Sequence, residues 1–348
     1  MYLKFFGLSE QPFGVTPDPR FLYLSAAHRE ALASLQYGIE ANRGFLGLIA
    51  KPGMGKTTLL FHLLEKFHAS AHTAFIFQTQ CSPREFLRFL LAELGYEGDT
   101  QDFVRLHEEF NRRLLQEAGA GKRMVVVIDE AQNLSPEVLE TVRLLSDFET
   151  PRAKLMHIIL SGQPQLADKL ASPGLAQLRQ RVSIVHGLDP LPSWEVKNYI
   201  EHRLKIAGYS GDPLFVAETY ETIAEFTEGI PRNVNNFCFN ALSLAYALQK
   251  KVVDSDIVKE VTSDLDISKF TSEAEPVTRS FEPVASPRLH SSAATPGKGQ
   301  EVLSPAEAAA YMQEVALKLK NWQQSLDKTM TGARRTIRSR IRSEQNLS

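Results

Sequence analysis

Two short stretches of this sequence carry reactive side chains at spacings that chemistry can use. The first is Ala50-Lys51-Pro52-Gly53-Met54-Gly55-Lys56-Thr57-Thr58. Its glycines let a backbone fold tightly around a small group. Its N–H groups stand at the start of an apolar-patterned helix, Leu59-Leu60-Phe61-His62-Leu63-Leu64, where anions are favoured. That combination suits the phosphates of a nucleotide. Lys51, Pro52, Gly53, Met54, Gly55 and Thr58 would cradle them, Lys56 would reach the β- and γ-phosphates, and the Thr57 hydroxyl would ligate Mg²⁺. The phosphate-loop pattern asks for glycine at position 50, and this chain has Ala50. The competing reading is a strand, loop and helix that merely contain glycines.

The second stretch weighs against that bland reading. Met124-Val125-Val126-Val127-Ile128-Asp129-Glu130 is an apolar run closed by two carboxylates. Beside a phosphate loop, Asp129 is placed to bind Mg²⁺ through water and Glu130 to activate an attacking water. Taken alone, the run reads equally well as an ordinary strand with a charged turn. Further polar groups close other elements. Gln163 is the first choice, and Ser161 the second, to contact the γ-phosphate and the water; Ser161 reads nearly as well as a helix cap. Arg179 or Arg181 would stabilise transition-state charge at a neighbouring subunit's nucleotide, or else both are surface arginines. Arg232 follows Pro231 at a helix start, where the dipole disfavours a cation. Its presence there points to an anionic partner such as nucleotide phosphates.

These groups need elements to hold them. Strands are expected at Phe45–Ile49, Thr73–Gln78, Met124–Asp129, Leu155–Ser161 and Val182–His186. All are short and almost continuously apolar, as central parallel strands covered on both faces are. Helical segments lie between them: Ser25 caps a helix to about Glu40, Ser82-Pro83-Arg84-Glu85 is a capping box opening a helix to about Leu94, and Ser135-Pro136-Glu137 opens another. The alternation predicts an α/β domain with a doubly wound parallel sheet over residues 25–189. It is preceded by an aromatic, proline-rich arm over 1–24 that packs onto the body. Helices at Trp194–Ala207, Leu214–Thr227, Pro231–Gln249 and Asp254–Asp264 predict a small all-helical domain over 190–266. Residues 267–303 are rich in Ser, Pro, Thr and Glu and read as a disordered linker. Ser304-Pro305-Ala306-Glu307 opens a last amphipathic helix to about 345, with a stripe from Tyr311 through Trp322 and Met330 to Ile341 at steps of three and four.

Composition narrows the setting. At 348 residues the chain holds about two domains and a tail. Cys81 and Cys238 have no ligand-spaced partners, which suits buried thiols in a reducing compartment. His28, His62, His68 and His72 likewise read as core or surface residues rather than metal ligands. No apolar run approaches the roughly 18–20 residues needed to cross a membrane, and the N-terminus lacks a signal-peptide pattern. The expectation is a cytoplasmic protein, peripheral at the inner face of the membrane if the tail docks there. From Lys318 onward eight basic residues face two acidic ones, a net +6 that leaves the remainder at −8 within a total of −2. An acidic body with a basic arm suggests an acidic partner or surface.

Together these features resemble the AAA+ ATPases, and more closely the ExeA-type (general secretion pathway protein A) group. The resemblance rests on Phe6-Gly7-Leu8, Pro12-Phe13, Thr16-Pro17-Asp18-Pro19-Arg20-Phe21, Asp129-Glu130-Ala131-Gln132-Asn133-Leu134, Gly162-Gln163-Pro164 and Gly229-Ile230-Pro231-Arg232-Asn233-Val234-Asn235, across roughly residues 1–265. It implies ATP and Mg²⁺ as ligands and a P-loop sheet followed by a helical lid. It further implies sensor-1 for Gln163 or Ser161, an arginine finger at Arg179 or Arg181, sensor-2 at Arg232, and an arm and Ser25 helix lying near the adenine. Members of the group usually continue through a membrane span into a peptidoglycan-binding domain, and this chain shows neither. The expected activity is ATP hydrolysis driving a conformational or assembly step in an envelope, secretion or exopolysaccharide system. A homo-oligomer, as a ring or nucleotide-dependent dimer, is expected. The C-terminal helix would bind a protein partner or the membrane surface. A DNA-associated ATPase of transposition-helper type ranks behind, because the body is acidic and has no recognition-helix motif. Lys51 also resembles the deviant loop of ParA/MinD-type ATPases, but residues 1–44 and Glu130 argue against that class.

Overall fold

The structure is a computed structural model that describes residues 2–77, 79–96, 98, 102–147, 149–150 and 153–265. Five parallel strands form the central sheet: β1 (Phe45–Ile49), β2 (Ala71–Ile76), β3 (Arg123–Ile128), β6 (Met156–Gly162) and β7 (Val182–Gly187). Their order is β2-β3-β6-β1-β7. The tiny strands β4 (Glu149–Thr150) and β5 (Ala153–Lys154) make a separate antiparallel pair. Continuous apolarity in β1, β3 and β6 follows from burial on both sides. Met124, Val126, Ile128, Ile158 and Leu160 face one core with α4 (Pro83–Glu93), α5 (Phe103–Gly119) and α6 (Pro136–Leu145). Alternate residues such as Val125, Val127 and Ile159 point the other way and are also buried. Each such side chain contributes roughly 1.5–3 kcal/mol by leaving water.

The expected strands fall within two residues of the observed ones, although Gln78 lies outside the described residues. The helix from Ser25 is α2 (Ala26–Glu40), with the Ser25 hydroxyl accepting from the His28 N–H. The Ser82 capping box is formed in both directions. Helix α5 has no counterpart in the expectations above; its strongly charged sequence buries only Leu106, Phe110 and Leu114. Another difference lies at 214–218. The helix expected from Leu214 starts at Thr219, because Phe215 is drawn into the core and bridges Val253 in parallel fashion.

The C-terminal helices α9 (Ser193–Ile206), α10 (Thr219–Thr227), α11 (Pro231–Ala247) and α12 (Ser255–Leu265) share a second core. Phe6, Leu8, Phe13 and Phe21 of the N-terminal arm belong to this core. The arm therefore completes the helical bundle rather than merely covering the sheet domain. Arg203 of α9 fastens it: Nε donates to the Pro12 carbonyl at 2.6 Å, and the guanidinium lies 4.9 Å from the Phe21 ring centroid. Prolines forbid a long helix here, but residues Tyr2–Phe6 form one short turn, α1. The linker expected at 267–303 and the helix expected at 304–345 lie outside the described residues.

One buried group in the sheet has a measurable consequence. His157, inside β6, is fully buried, and among the described residues neither ring nitrogen has a hydrogen-bond partner. Burial, aided by the charges of Arg123 and Lys154, pushes its pKa down to about 4. Below the ordinary value of 6.5 the unfolded chain takes up a proton before the folded one does. Stability is therefore full above about pH 6.5 and declines as pH falls toward 4, by roughly 3 kcal/mol in all. His157→Met should flatten that decline in urea unfolding at pH 7 and pH 4.5. Parallel losses in the two proteins would refute the assignment.

Candidate functional site

The strand order explains how distant groups meet. β6 lies between β1, which leads into the glycine loop, and β3, which ends in the two carboxylates. In register, Ile128 pairs with Leu160, and Ile49 pairs with Gly162. The C-terminal ends of all three strands thus open on one crevice, where ligands bind in open α/β sheets.

The loop itself is shaped by Gly53 and Gly55, with φ of 82° and 84°. Gly55 is the N-cap of α3 (Lys56–Phe67) and supplies no side-chain cap, leaving the first N–H groups of that helix for a ligand. Ala50 is not among the residues with positive φ, so its departure from the glycine pattern strains no backbone. Its N–H instead donates to the Gly162 carbonyl at 3.1 Å, tying the loop to β6.

Lys56 is buried, and its Nζ donates to the carbonyls of Ala50 (2.9 Å) and Lys51 (3.2 Å). It makes no ion pair among the described residues. Burial pushes its ammonium below the ordinary value; Glu130 and Asp129 oppose that shift and Arg232 adds to it. A buried cation held only by carbonyls is costly unless an anion joins it.

Thr57 Oγ1 donates to Asp129 Oδ2 at 2.6 Å, and Ser161 Oγ donates to Asp129 Oδ1 at 2.7 Å. Thr57 and Asp129 form a hard, all-oxygen donor pair, which suits Mg²⁺ bound through one or two protein groups and phosphate oxygens. No cluster of three or more His, Cys, Asp or Glu capable of caging a metal occurs among the described residues. The donors present therefore fit Mg²⁺ arriving with a nucleotide, where it would neutralise phosphate charge.

Glu130 adopts a left-handed conformation, φ 50°, uncommon for a residue with a side chain. Its Oε2 accepts from Gln163 Nε2 at 3.0 Å and from Gln132 Nε2 at 2.5 Å. The structure thus brings Gln163 to Glu130 and Ser161 to Asp129. Ser161 does not cap the next helix; Gln163 occupies that N-cap position without a side-chain cap bond.

From the other side, α11 meets the loop directly. The Arg232 N–H donates to the Gly53 carbonyl at 3.1 Å. A Cβ on Gly53 would sit 2.8 Å from Arg232 Cβ, so only glycine allows this approach. The Arg232 side chain is exposed and makes no ion pair among the described residues. Beside the loop, a cleft of about 40 Å³ is bounded by Phe21–Tyr23 of the arm, by His28, Met54 and Thr58, and by Tyr199 and Arg203 of α9.

His28, expected in a core or surface role rather than as a metal ligand, is buried, and its position is specific. Its Nε2 lies 3.0 Å from the Met54 carbonyl and its Nδ1 2.7 Å from Ser25 Oγ. The carbonyl can only accept, so Nε2 carries the proton and Nδ1 accepts from the serine hydroxyl. Burial lowers its pKa, which keeps it neutral in this role. The sequence signal available was its place three residues after a helix cap. Gln132 was also missed as a site residue, because a polar residue after two acids reads as loop.

Arg179 and Arg181 lie on α8 (Ala176–Arg181), just before β7 begins and away from the crevice. Arg181 pairs with Asp147 and donates to Ser146 Oγ at 3.0 Å. Arg179 is exposed and donates to the Ala171 carbonyl at 3.2 Å. Neither is among the charges acting on Lys56.

Comparison with known proteins fits this geometry. A family model described as an AAA domain matches residues 39–170. General secretion pathway protein A of Aeromonas hydrophila is 40% identical over 259 residues, covering 74% of this chain and 47% of that protein. The chain thus spans about half the length of that relative. An uncharacterized HTH-type transcriptional regulator of Methanocaldococcus jannaschii is 26% identical over 281 residues, covering 69% of this chain and 66% of that protein. Among solved structures, the Aeropyrum pernix ORC2 protein in its ADPNP-ADP complexes aligns with a TM-score of 0.58 at 14% identity, over 76% of this chain and 74% of that one. Cdc6p from Pyrobaculum aerophilum aligns at 0.57 and 16% identity, over 73% and 70%. At such identities these two establish the fold alone.

Proposed function

We propose, from the premise that this chain belongs to the ExeA-type AAA+ ATPases, that it binds ATP with Mg²⁺ in the crevice and hydrolyses it to drive an assembly or conformational step in an envelope or secretion system. The observation that carries this reading is Lys56, a buried cation satisfied among the described residues by two loop carbonyls, facing the Asp129–Glu130 pair. In the proposed cycle the α3 N–H groups and Lys56 hold the phosphates. Thr57 and Asp129 would hold the metal, which would offset phosphate charge. Glu130 takes a proton from water while Gln163 keeps its carboxylate in place. Arg232, hydrogen-bonded through its backbone to the loop, reports the phosphates to the helical lid. The base would lie between the arm and α9, near His28, once that narrow cleft opens. Arg179, the more weakly engaged of the two α8 arginines, is the better candidate to reach a neighbouring subunit's nucleotide in a homo-oligomer.

The secretion setting rests on the name of the 40% relative, which this chain matches over about half that relative's length. No helix among the described residues is long and apolar enough to cross a membrane. The basic C-terminal stretch would then carry attachment to a protein partner or membrane surface. Phosphate release by the purified protein, with Mg²⁺ and with a chelator, tests the activity. Protein ending at residue 303 should give an unchanged basal rate in the same assay, and should show no partner or vesicle association in co-sedimentation. No phosphate release by either form would refute the proposal.

A DNA-associated role is the second reading, favoured by the 26% relative named as an HTH-type regulator. It requires DNA-stimulated hydrolysis that falls steeply with salt.

A further inference from the structure

We propose that Gln132 is a positioning residue for Glu130, pinning one carboxylate oxygen so that the other faces the reacting water. This rests on the reading of Glu130 as the water-activating residue. The starting point is an obligate donor. The backbone N–H of Gln163 points at Gln132 Oε1, 3.1 Å away. A backbone N–H can only donate, so this contact sets the orientation of the Gln132 amide. Its Nε2 must then face the other way, and there it meets Glu130 Oε2 at 2.5 Å.

Gln163 Nε2 reaches the same oxygen at 3.0 Å. Two amides therefore converge on Oε2, and among the described residues no hydrogen bond reaches Oε1. A carboxylate gripped through one oxygen keeps the other aimed, and aim is what a general base needs. Gln132 also ties the two glutamine-bearing segments together, so Glu130 and Gln163 move as one unit.

The surroundings are built for this contact. Gln132 sits in a short 3₁₀ turn, Ala131–Asn133, whose first flanking residue is the left-handed Glu130. Lys169 Nζ donates to the Gln132 carbonyl and, at 2.7 Å, to the Leu134 carbonyl, clamping the turn onto α7 (Pro164–Ala171). Gly162 leaves the space: a Cβ there would fall 2.6 Å from Gln132 Oε1 and 2.9 Å from Leu166 Cδ2. Any larger residue at 162 would push the amide out of reach. An uncommon backbone conformation at Glu130, with its carboxylate held by two amides, is the pattern of a preorganised site.

The test is a double-variant cycle on the full chain. Gln132→Met removes both amide functions at nearly constant volume. Its kcat for ATP should fall about 10- to 100-fold, while KM for ATP and ADP affinity by titration stay within about threefold of wild type. Because Gln132 acts through Glu130, Gln132→Met should cost nothing further in a Glu130→Gln background. Gln132→Glu keeps the acceptor for the Gln163 N–H but sets a like charge against Glu130. It should lose kcat at least as severely, again with ADP affinity kept, and it serves if the methionine variant folds poorly. A kcat within about twofold of wild type for Gln132→Met overturns the proposal, as does a loss in the Glu130→Gln background as large as in wild type. Normal turnover by Glu130→Gln alone would instead sink the prior reading of Glu130, and the proposal with it.

Discussion

Lys56→Ala protein should bind ATP and ADP at least about 100-fold more weakly than wild type while remaining folded. The wild-type ammonium is buried and stripped of water, and among the described residues two carbonyls are its only partners in hydrogen bonding. That arrangement costs the free protein and is recovered when a phosphate joins the site. A charge-assisted hydrogen bond contributes roughly 1.5–3 kcal/mol, and Lys56 is placed to make more than one. The same asymmetry predicts the stability result. Removing an uncompensated buried cation leaves the melting temperature without nucleotide unchanged or slightly raised, but abolishes the increase that ATP gives wild type. Calorimetric titration and thermal melts with and without nucleotide check both halves. Affinity within about threefold of wild type would mean that the loop does not hold phosphates through this lysine. A pH series adds a second readout. Because the ammonium lies below its ordinary value, nucleotide affinity should fall at a lower pH than a solvent-exposed lysine would set.

Glu130→Gln should give the opposite profile. The substitution is nearly isosteric, and its amide oxygen can still accept from Gln132 and Gln163. Nucleotide affinity should therefore be kept. A neutral amide cannot take a proton from water, so turnover should drop about 10²- to 10⁴-fold, the usual contribution of a positioned base. The protein would stall with ATP bound, which is the form to use for capturing partners or assemblies. Phosphate release and filter binding on the same preparation measure the two quantities. Normal turnover would show that Glu130 is not the base.

The two variants should separate binding from chemistry because the two residues stand apart in the site. Lys56 starts the helix after β1, and Glu130 lies in the turn after β3. Between them, β6 contributes Ser161 to Asp129, and Gln163 beyond its end contributes to Glu130. A change on one side leaves the other side's hydrogen bonds in place.

Much of this was legible in the chain, for local reasons. The loop is a contiguous string whose glycines must take positive φ, and Gly53 and Gly55 do. The carboxylates close an apolar run, so their place at a strand end follows from side-chain patterning. The capping box at Ser82 forms as its spacing demands. The misses have physical causes too. Phe215 left its expected helix because burial against Val253 outweighed local propensity. The amphipathic α5 went unread because its three buried residues are diluted by charge. Arg179 and Arg181 look alike in sequence, but an ion pair to Asp147 engages Arg181 within the chain.

What the sequence determined by itself is the chemistry on offer: a glycine loop with its lysine, two carboxylates at a strand end, and alternating elements that dictate a parallel sheet. Each depends on neighbours within a few residues, and backbone sterics and side-chain periodicity act at that range. The tertiary structure decided which oxygen each group holds. Parallel strands joined by helical crossovers look alike in sequence, so nothing local says that β6 inserts between β1 and β3. That insertion places Ser161 on Asp129 and Gln163 on Glu130, and the packing of α11 places the Arg232 backbone on Gly53. These are contacts between segments far apart along the chain, made only when the whole sheet and the helices packed on it close together.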